Sequence, residues 1–536
     1  MSTTAARDTP TSAWAPLRIP LFRALIIAQF ASNIGTWMQT VGAQWLMGDL
    51  THDPLHVALV QTATSLPVFL FGFPAGAVGD VFDRRRVLLL SQAFMLAAAA
   101  LLALLTFADD VTPWVLLGLT FAIGAGRALT APSWQAIQPQ LVGRELIPQA
   151  AALGAASVNV GRAVGPALGG ALVAAAGAGW VFGLNAVSFL GVLAVLVLWR
   201  RARVEQPLGP EHVRGAMRAG TRYVRSSPRM KAILARSAVF VVFASAMWAL
   251  LPIVARSDLG LGSGGYGLLL GAVGLGAVLG TATLPRLRAR VSLDRVVAGG
   301  GVAFALACVV LAWVHVVAVV AIALVVTGFA WIAVLSSLNA TAQSVLPDWV
   351  RSRGMALYII VFQGGQALGA LIWGLVVQQG DTRVAFSVVA AGLLLGLPAA
   401  RRWPLRPPGG IDVRPSQGWP EPDLVIDTDP RHGPVLVTVE YRVPAERADA
   451  FREAMLPVGR ARRRSGGERW GLFQDGADPE RFVEVYLVAT WEEHLRQQQE
   501  RTTHTDRLFE QRARELVAEG TEPRVEHLLW SYRGPA

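Results

Sequence analysis

The chain has little charge. Asp, Glu, Lys and Arg make up 16% of its 536 residues while 53% are hydrophobic, which places it among polytopic membrane proteins before any motif is read. Cys308 is the only cysteine, and this excludes an intramolecular disulfide and a Cys-rich metal site. Lys231 is the only lysine, so the remaining basic charge is arginine. No GxxxxGK[ST] phosphate loop occurs, which excludes ATP as a direct driver. Met1 to Pro16 is polar and leads into a full-length apolar run, so no cleavable signal peptide is expected. The net charge of +11 raises the question of nucleic acid. From Arg431 onward, however, 17 basic residues stand against 18 acidic ones, so the surplus lies in the apolar part and its loops and reads as a topology signal.

What is there in abundance is apolar sequence. Runs of about 20 residues, enough to cross a ~30 Å hydrocarbon core, recur near 21–48, 55–79, 87–107, 113–137, 149–176, 178–199, 231–254, 264–284, 296–315, 317–339, 354–379 and 384–400. No Asp or Glu stands inside any of them. The loops between them alternate in charge. One set carries Arg84, Arg85, Arg86, Arg144, Arg286, Arg288, Arg290, Arg295, Arg351, Arg353, Arg401 and Arg402. The other carries Asp49, Asp53, Asp109, Asp110, Asp258 and Asp381, with Arg256 and Arg383. That alternation predicts both termini in the cytoplasm.

The expected organisation is therefore all-α and polytopic: twelve transmembrane helices in two pseudo-symmetric six-helix halves, 1–199 and 231–402, joined by a basic cytoplasmic loop at 200–230. Gln135, Pro139 and Gly161 recur at the same offsets as Gln343, Pro347 and Gly369, and paired halves of this kind place a transport site between them. In the loop, Arg214, Arg218 and Arg222 repeat at helical spacing opposite Val213, Met217 and Val224. Two readings are open for it, an amphipathic helix on anionic headgroups or a solvated linker. Residues 403–434, rich in Pro, Gly and Asp, read as a linker to a C-terminal domain at 435–533. There the order is strand Val435–Arg442, helix Ala445–Arg464, strands Arg469–Gln474 and Phe482–Trp491, one long helix Glu492–Glu519 and strand Arg524–Trp530. This βαββαβ order predicts a cytoplasmic α+β domain of ferredoxin-like type.

The polar residues inside the spans are the candidate site. Arg127 and Arg162 lie roughly 15–21 Å from the ends of their runs by helical rise, too deep to reach bulk water fully, and a charge there is costly enough to face a bundle interior or a watery path. Without an acidic partner in any span they suit an anionic or phenolate-bearing cargo. A hydrogen-bond hub to backbone carbonyls remains the alternative for each. Asn33, Trp37, Gln61, Trp134, Gln135, Asn159, Asn339, Gln343, Gln363 and Gln366 complete the substrate-binding set, as amides and indoles that recognise a bulky amphipathic molecule, or that tie helices together. Gly161, Gly165 and Gly169, with Pro166 and Gly170, form a small-residue stripe for close helix packing.

The loop Gly76-Ala-Val-Gly-Asp80-Val-Phe-Asp83-Arg84-Arg85-Arg86 resembles the signature loop of the major facilitator superfamily, with Val81 and Asp83 departing from the usual basic residue and second glycine. The resemblance implies that Gly76, Asp80, Arg84, Arg85 and Arg86 latch one half to the other in one state of the cycle. GRAVGPALGG is similar to the fifth-span motif of exporters in that superfamily, which favours export over uptake. PSWQAIQPQLVGRELIPQAAAL and the tail following the twelfth span look like the enterobactin-exporter and macrolide-efflux branch, the transmembrane secretion effectors. WEEHLRQQQERTTHTDR resembles antibiotic-biosynthesis-monooxygenase domains, which implies pairing of two copies through the sheet and draws attention to Trp470, Trp491, His494 and His504.

The function these features imply is secondary active export of a small amphipathic molecule, siderophore- or antibiotic-like, across the cytoplasmic membrane by alternating access, with proton antiport implied by the resemblance alone. A broad multidrug (drug-resistance) exporter, and a transporter whose tail modifies its cargo, are the alternatives. The partners are the cargo, the lipid membrane and a second copy through the tail, with no nucleic acid. No catalytic residue, cofactor or metal is assigned.

Overall fold

The computed structural model describes residues 12, 14–81, 83–199, 213–398, 402–405, 412, 416, 429 and 432–531; the side chains at 73, 76–81, 132, 135, 136, 138–140, 144 and 213–219 fall outside that description. Most of the expected linker 403–434 and the first part of the central loop lie outside that description.

The apolar runs are helices: α1 Pro20–Leu50, α2 Pro54–Val81, α3 Arg84–Phe107, α4 Pro113–Leu141, α5 Ile147–Ala176 and α6 Ala178–Leu198, then, after a shorter α7 Val213–Ser226, α8 Pro228–Ile253, α9 Ser263–Arg290, α10 Leu293–Trp313, α11 Val317–Val345, α12 Asp348–Gln379 and α13 Thr382–Leu395. Their starts are written in the polar turns. Proline occupies the first turn of α1, α4 and α5, where its missing N–H costs nothing. Asp83, Thr112 and Asp381 cap α3, α4 and α13 by accepting from the amides of Arg86, Val115 and Val384. Among the described residues, ten of the helices are long and apolar enough to cross a membrane. Outside those ten stand α1, which carries Gln29, Asn33, Gln39 and Gln44, the short basic α7, and α13, which is apolar but only 14 residues long.

The chain forms two compact bodies: Met1–Pro210 with Arg236–Leu338 and Ile359–Arg402, and Glu211–Ala235 with Asn339–Tyr358 and Trp403–Ala536. In the first, α1 packs on α5 and α6, α2 and α3 pack on α4, α3 also packs on α6, α5 packs on α9, and α10 packs on α13.

The second body holds α7, the ends of α8, α11 and α12, and the C-terminal domain. Strands β1 Val435–Arg442, β2 Glu468–Gln474, β3 Arg481–Val488 and β4 Arg524–Leu529 form one antiparallel sheet in the order β2-β3-β1-β4, with α14 Ala448–Ser465 between β1 and β2. Alternation puts Val435, Val437, Val439 and Tyr441 with Phe482, Tyr486 and Val488 on the face that packs against helices, where Phe451, Met455 and Val458 close the core.

The single long helix expected over Glu492–Glu519 is broken. It becomes α15 Trp491–Arg496, a π-turn Gln497–Arg501 and α16 His504–Arg514. Thr503 and Asp506 form a reciprocal capping box, each side chain taking the other's backbone amide, so a new helix starts there. His494 and His504 consequently stand on different helices.

Candidate functional site

The glycine stripe of α5 sets the geometry. A Cβ on Gly165 would stand 2.6 Å from Trp37 Cβ, and one on Gly169 would stand 2.8 Å from Met38 Cα, so α5 lies backbone to backbone on α1. The next face does the same against α9: Gly170 faces Ser263 O and Gly267, and Gly274 faces Ala163 Cα at 2.6 Å. This intimacy fixes Arg162 beside Gly161, with its guanidinium 5.5 Å from the ring centroid of Trp37. Its Nε is buried without a hydrogen-bond partner among the described residues.

From Trp37 an aromatic wall runs across the four other helices that meet it. Trp37 of α1 lies 6.0 Å from Trp248 of α8, Trp248 lies 5.5 Å from Trp331 of α11, and Trp331 lies 6.1 Å from Phe362 of α12. Phe304 of α10 and Phe240 flank Trp331 at 6.5 and 6.0 Å. The wall thus joins the helices of both expected halves, with one guanidinium at its end.

Arg127 lies on the face of α4 that carries buried Leu116, Thr120, Ile123 and Gly124, the last against Pro67 and the Thr64 carbonyl of α2. It is nevertheless exposed, and no hydrogen bond or ion pair reaches it from the described residues.

The amides divide into ties and free groups. Gln29 donates to Asn33, and Asn33 to Ser157 of α5 at 2.9 Å. Gln61 donates to Ser65, which reaches Gln366 of α12, and Thr62 bonds the Ala367 carbonyl beside it. The Asn33–Ser157, Ser65–Gln366 and Thr62–Ala367 bonds cross between helices, while the other two lie within α1 and α2. Asn159 and Gln363 are half-buried and make no such tie among the described residues. Asn339 and Gln343 bond each other along α11 and belong to the second body, and Trp134 packs with Leu88, Ile137 and Leu141. The side chain of Gln135 lies outside the described residues.

Of the signature loop, the side chains of Gly76 and Asp80 lie outside the described residues. Arg85 donates to the carbonyls of Leu196 and Val197, tying α3 to the end of α6, while Arg86 is exposed and Arg84 half-buried. At the opposite end of the bundle Arg256, just after α8, bonds the Gly48 carbonyl and Asp49 (2.5 Å) and stacks 4.2 Å from the Trp45 ring. It edges a cleft of about 250 Å³ lined also by Gln44, Thr51 and His52. Asp53 accepts from Gln378 and from His56 nearby.

In the C-terminal domain Glu484 is fully buried and accepts from Arg462, Trp470 and Tyr441, while Arg462 also pairs with Glu510. His494, 1% exposed, stands 4.7 Å from His527 and close to Trp491, not near His504, which is exposed. Burial, then the neighbouring His527 and Arg462, lower its pKa to about 3. Among the described residues no three His, Cys, Asp or Glu side chains gather as metal ligands.

Sequence reasoning missed Trp248, Trp331 and Phe362. An aromatic residue in an apolar run offers no contrast, so only the packing exposes the wall. The role of Arg256 was equally hidden, because a lone arginine in a loop reads as topology.

Comparison with known proteins agrees with this architecture. Residues 11–534 match the family described as transmembrane secretion effector. Among curated relatives, the enterobactin exporter EntS of Salmonella typhimurium is 29% identical over 392 residues, covering 70% of this chain and 91% of that protein. The one from Shigella boydii is 30% identical over 404 residues, 73% and 94% of the two chains. Among solved structures, a bacterial homologue of the iron transporter ferroportin in an inward-facing state superposes with a TM-score of 0.57 at 17% identity, covering 72% of this chain and 98% of that one. A bacterial homologue of the lysosomal transporter Spinster gives 0.56 at 15% identity, with the same coverage. These likenesses show the fold, and the family match covers nearly the whole chain, so the chain belongs to the transmembrane secretion effectors, transporters of the major facilitator superfamily.

Proposed function

We propose that this protein exports a small amphipathic, anionic molecule of siderophore or antibiotic type across the cytoplasmic membrane, by alternating access of two six-helix halves with twelve spans and both termini in the cytoplasm. The observation that carries this reading is the aromatic wall Trp37–Trp248–Trp331–Phe362, ending at Arg162 and accompanied by exposed Arg127 on an inward helix face. Indole rings take up the flat apolar part of a cargo, and a guanidinium takes its carboxylate or phenolate. The enterobactin export named for the relatives supports a siderophore-like cargo. The proton gradient is the proposed drive, by family likeness. Vesicles that keep full export after the gradient is collapsed contradict it.

The test compares export of anionic catecholates with that of cationic dyes in vesicles carrying Arg162→Ala or Arg127→Ala. Selective loss of the anion is expected, by tenfold or more for one charge-assisted contact of about 1.5–3 kcal/mol. Equal loss of both classes favours the multidrug reading, for which the observation is the wall itself, since stacking accepts many ring systems.

The C-terminal domain is proposed to pair with a second copy. Its second sheet face carries Leu436, Val483, Val485 and Leu487 between Phe473 and Leu528, which are 61% and 50% exposed. Light scattering of the purified protein with Phe473→Glu should show loss of the pair. Catalysis by the domain is the lesser reading, resting on His494 and His527, and oxygen consumption with phenolic substrates tests it.

A further inference from the structure

The helix α7 lies in the segment that joins the first six expected spans to the second six, and its sequence left its partner undecided between lipid and water. The structure gives it protein contacts on more than one side. Gly220 is buried, and a Cβ there would stand 2.8 Å from Cβ of Arg353 in α12. Tyr223, 6% exposed, donates its hydroxyl to the Val345 carbonyl at the end of α11 and meets Trp349 edge-on at 5.9 Å. Burial pushes that hydroxyl's pKa up to about 12, so it stays a donor. Arg222 bonds the Gly466 carbonyl and lies 3.7 Å from Glu468, where α14 gives way to β2. Arg501 also meets Trp349, 4.8 Å from the centre of the indole ring. Arg501 is itself buried, held by Glu493 at 2.5 Å and by the Ser465 carbonyl at 3.1 Å. Two described residues ahead of the domain bond its π-turn end: the Asp412 amide donates to the Thr505 hydroxyl, and the Ser416 amide to the Thr502 carbonyl.

We infer that the C-terminal domain is a clasp for the connection between the two halves: its Ser465–Glu468 edge and its π-turn grip α7 and the α11–α12 turn through Arg222, Trp349 and Arg501, and thereby hold the inner helix ends in register for transport. The role needs no chemistry of the domain's own. The partner of α7 is the chain itself, because its last turns spend their aromatic and apolar side chains on protein and leave Arg225 exposed. The π-turn places Arg501 on Trp349, and π-turns mark functional positions often enough to fit such a use.

The test uses the full chain in lipid nanodiscs, with Arg222→Ala and Trp349→Ala, both outside the domain, and Arg501→Lys, which keeps the charge and loses the planar fork. Hydrogen exchange of the amides of residues 220–226 should quicken at least tenfold while β1 and β3 keep their protection. Initial export in vesicles should fall at least threefold in the same variants. Unchanged exchange in α7 overturns the clasp. Faster exchange with unchanged export overturns its part in transport. The second half rests on the export reading, whereas the exchange measurement needs no cargo, so the two failures can be told apart.

Discussion

Replacing Arg256 should unbolt one end of the bundle. Its guanidinium leaves the turn after α8 and bonds the Gly48 carbonyl, the Trp45 carbonyl at 3.4 Å and Asp49 at 2.5 Å, all on α1, and stacks 4.2 Å from the Trp45 ring. Every one of these contacts joins a helix of the first expected half to one of the second. On the alternating-access proposal, parting of the halves at this end loses all four together. One charge-assisted bond to a carbonyl contributes about 1.5–3 kcal/mol. The ion pair is half-exposed, with Asp49 53% accessible, and adds only about 0.2–1 kcal/mol, with roughly 0.5–1 kcal/mol from the stack. Arg256→Gln keeps some hydrogen bonding, so a net loss of about 2 kcal/mol is the working figure, which shifts the closed-to-open ratio roughly thirtyfold. In a Cys308→Ser background, a cysteine at Val57, 5% exposed and lining the adjoining cleft, reports the opening by its reaction with a membrane-impermeant maleimide. Labelling should quicken at least tenfold with Arg256→Gln and under threefold with Asp49→Asn, which removes the weaker contact alone. Equal labelling in both, at the rate of the parent, refutes the reasoning.

Three more outcomes follow from the packing. Gly170→Ala puts a methyl 2.5 Å from Ser263 O and 2.7 Å from Gly267 Cα, so it should cost about 1–3 kcal/mol and lower the melting temperature of the purified protein, whereas Gly183→Ala, with nothing within 4 Å, should not. Glu484→Gln leaves Arg462 buried with Glu510 as its remaining carboxylate and should destabilise the C-terminal domain by about 1–3 kcal/mol, read from the hydrogen exchange of β1 and β3. For His494, held neutral down to pH about 3, the unfolded chain takes up a proton near pH 6.5 that the folded domain refuses. Stability is therefore full above that pH and falls as pH drops from about 6.5 toward 3, by about 2 kcal/mol at pH 5. His494→Gln should flatten that slope, and an unchanged slope contradicts the assignment.

Much of this molecule is written locally. The helices follow from apolar runs of membrane-crossing length, and their starts from Pro20, Pro113, Asp83, Thr112 and Asp381 at the turns, because capping and proline act within one helical turn. The strands Val435–Arg442 and Arg524–Leu529 were legible from alternation, which a half-buried sheet imposes on its own sequence. The glycine stripe was legible as well, since only the absence of a side chain permits the contacts Gly165 and Gly170 make. The broken helix was not, because the Thr503–Asp506 capping box competes with a polar helical pattern that continues straight through it.

What only the tertiary structure decided is which polar and aromatic groups share a space. Gln61 and Gln366 look like candidate ligands in sequence and become one buried tie. Trp248 and Trp331 look like ordinary apolar filling and become the wall beside Arg162 and Trp37. Trp37 and Trp248, 211 positions apart in the chain, and Trp248 and Trp331, 83 apart, meet there, and no local propensity carries information over such a separation. Membrane crossing is a property of each segment, because hydrocarbon solvates each helix by itself, whereas a site is a property of where several helices converge.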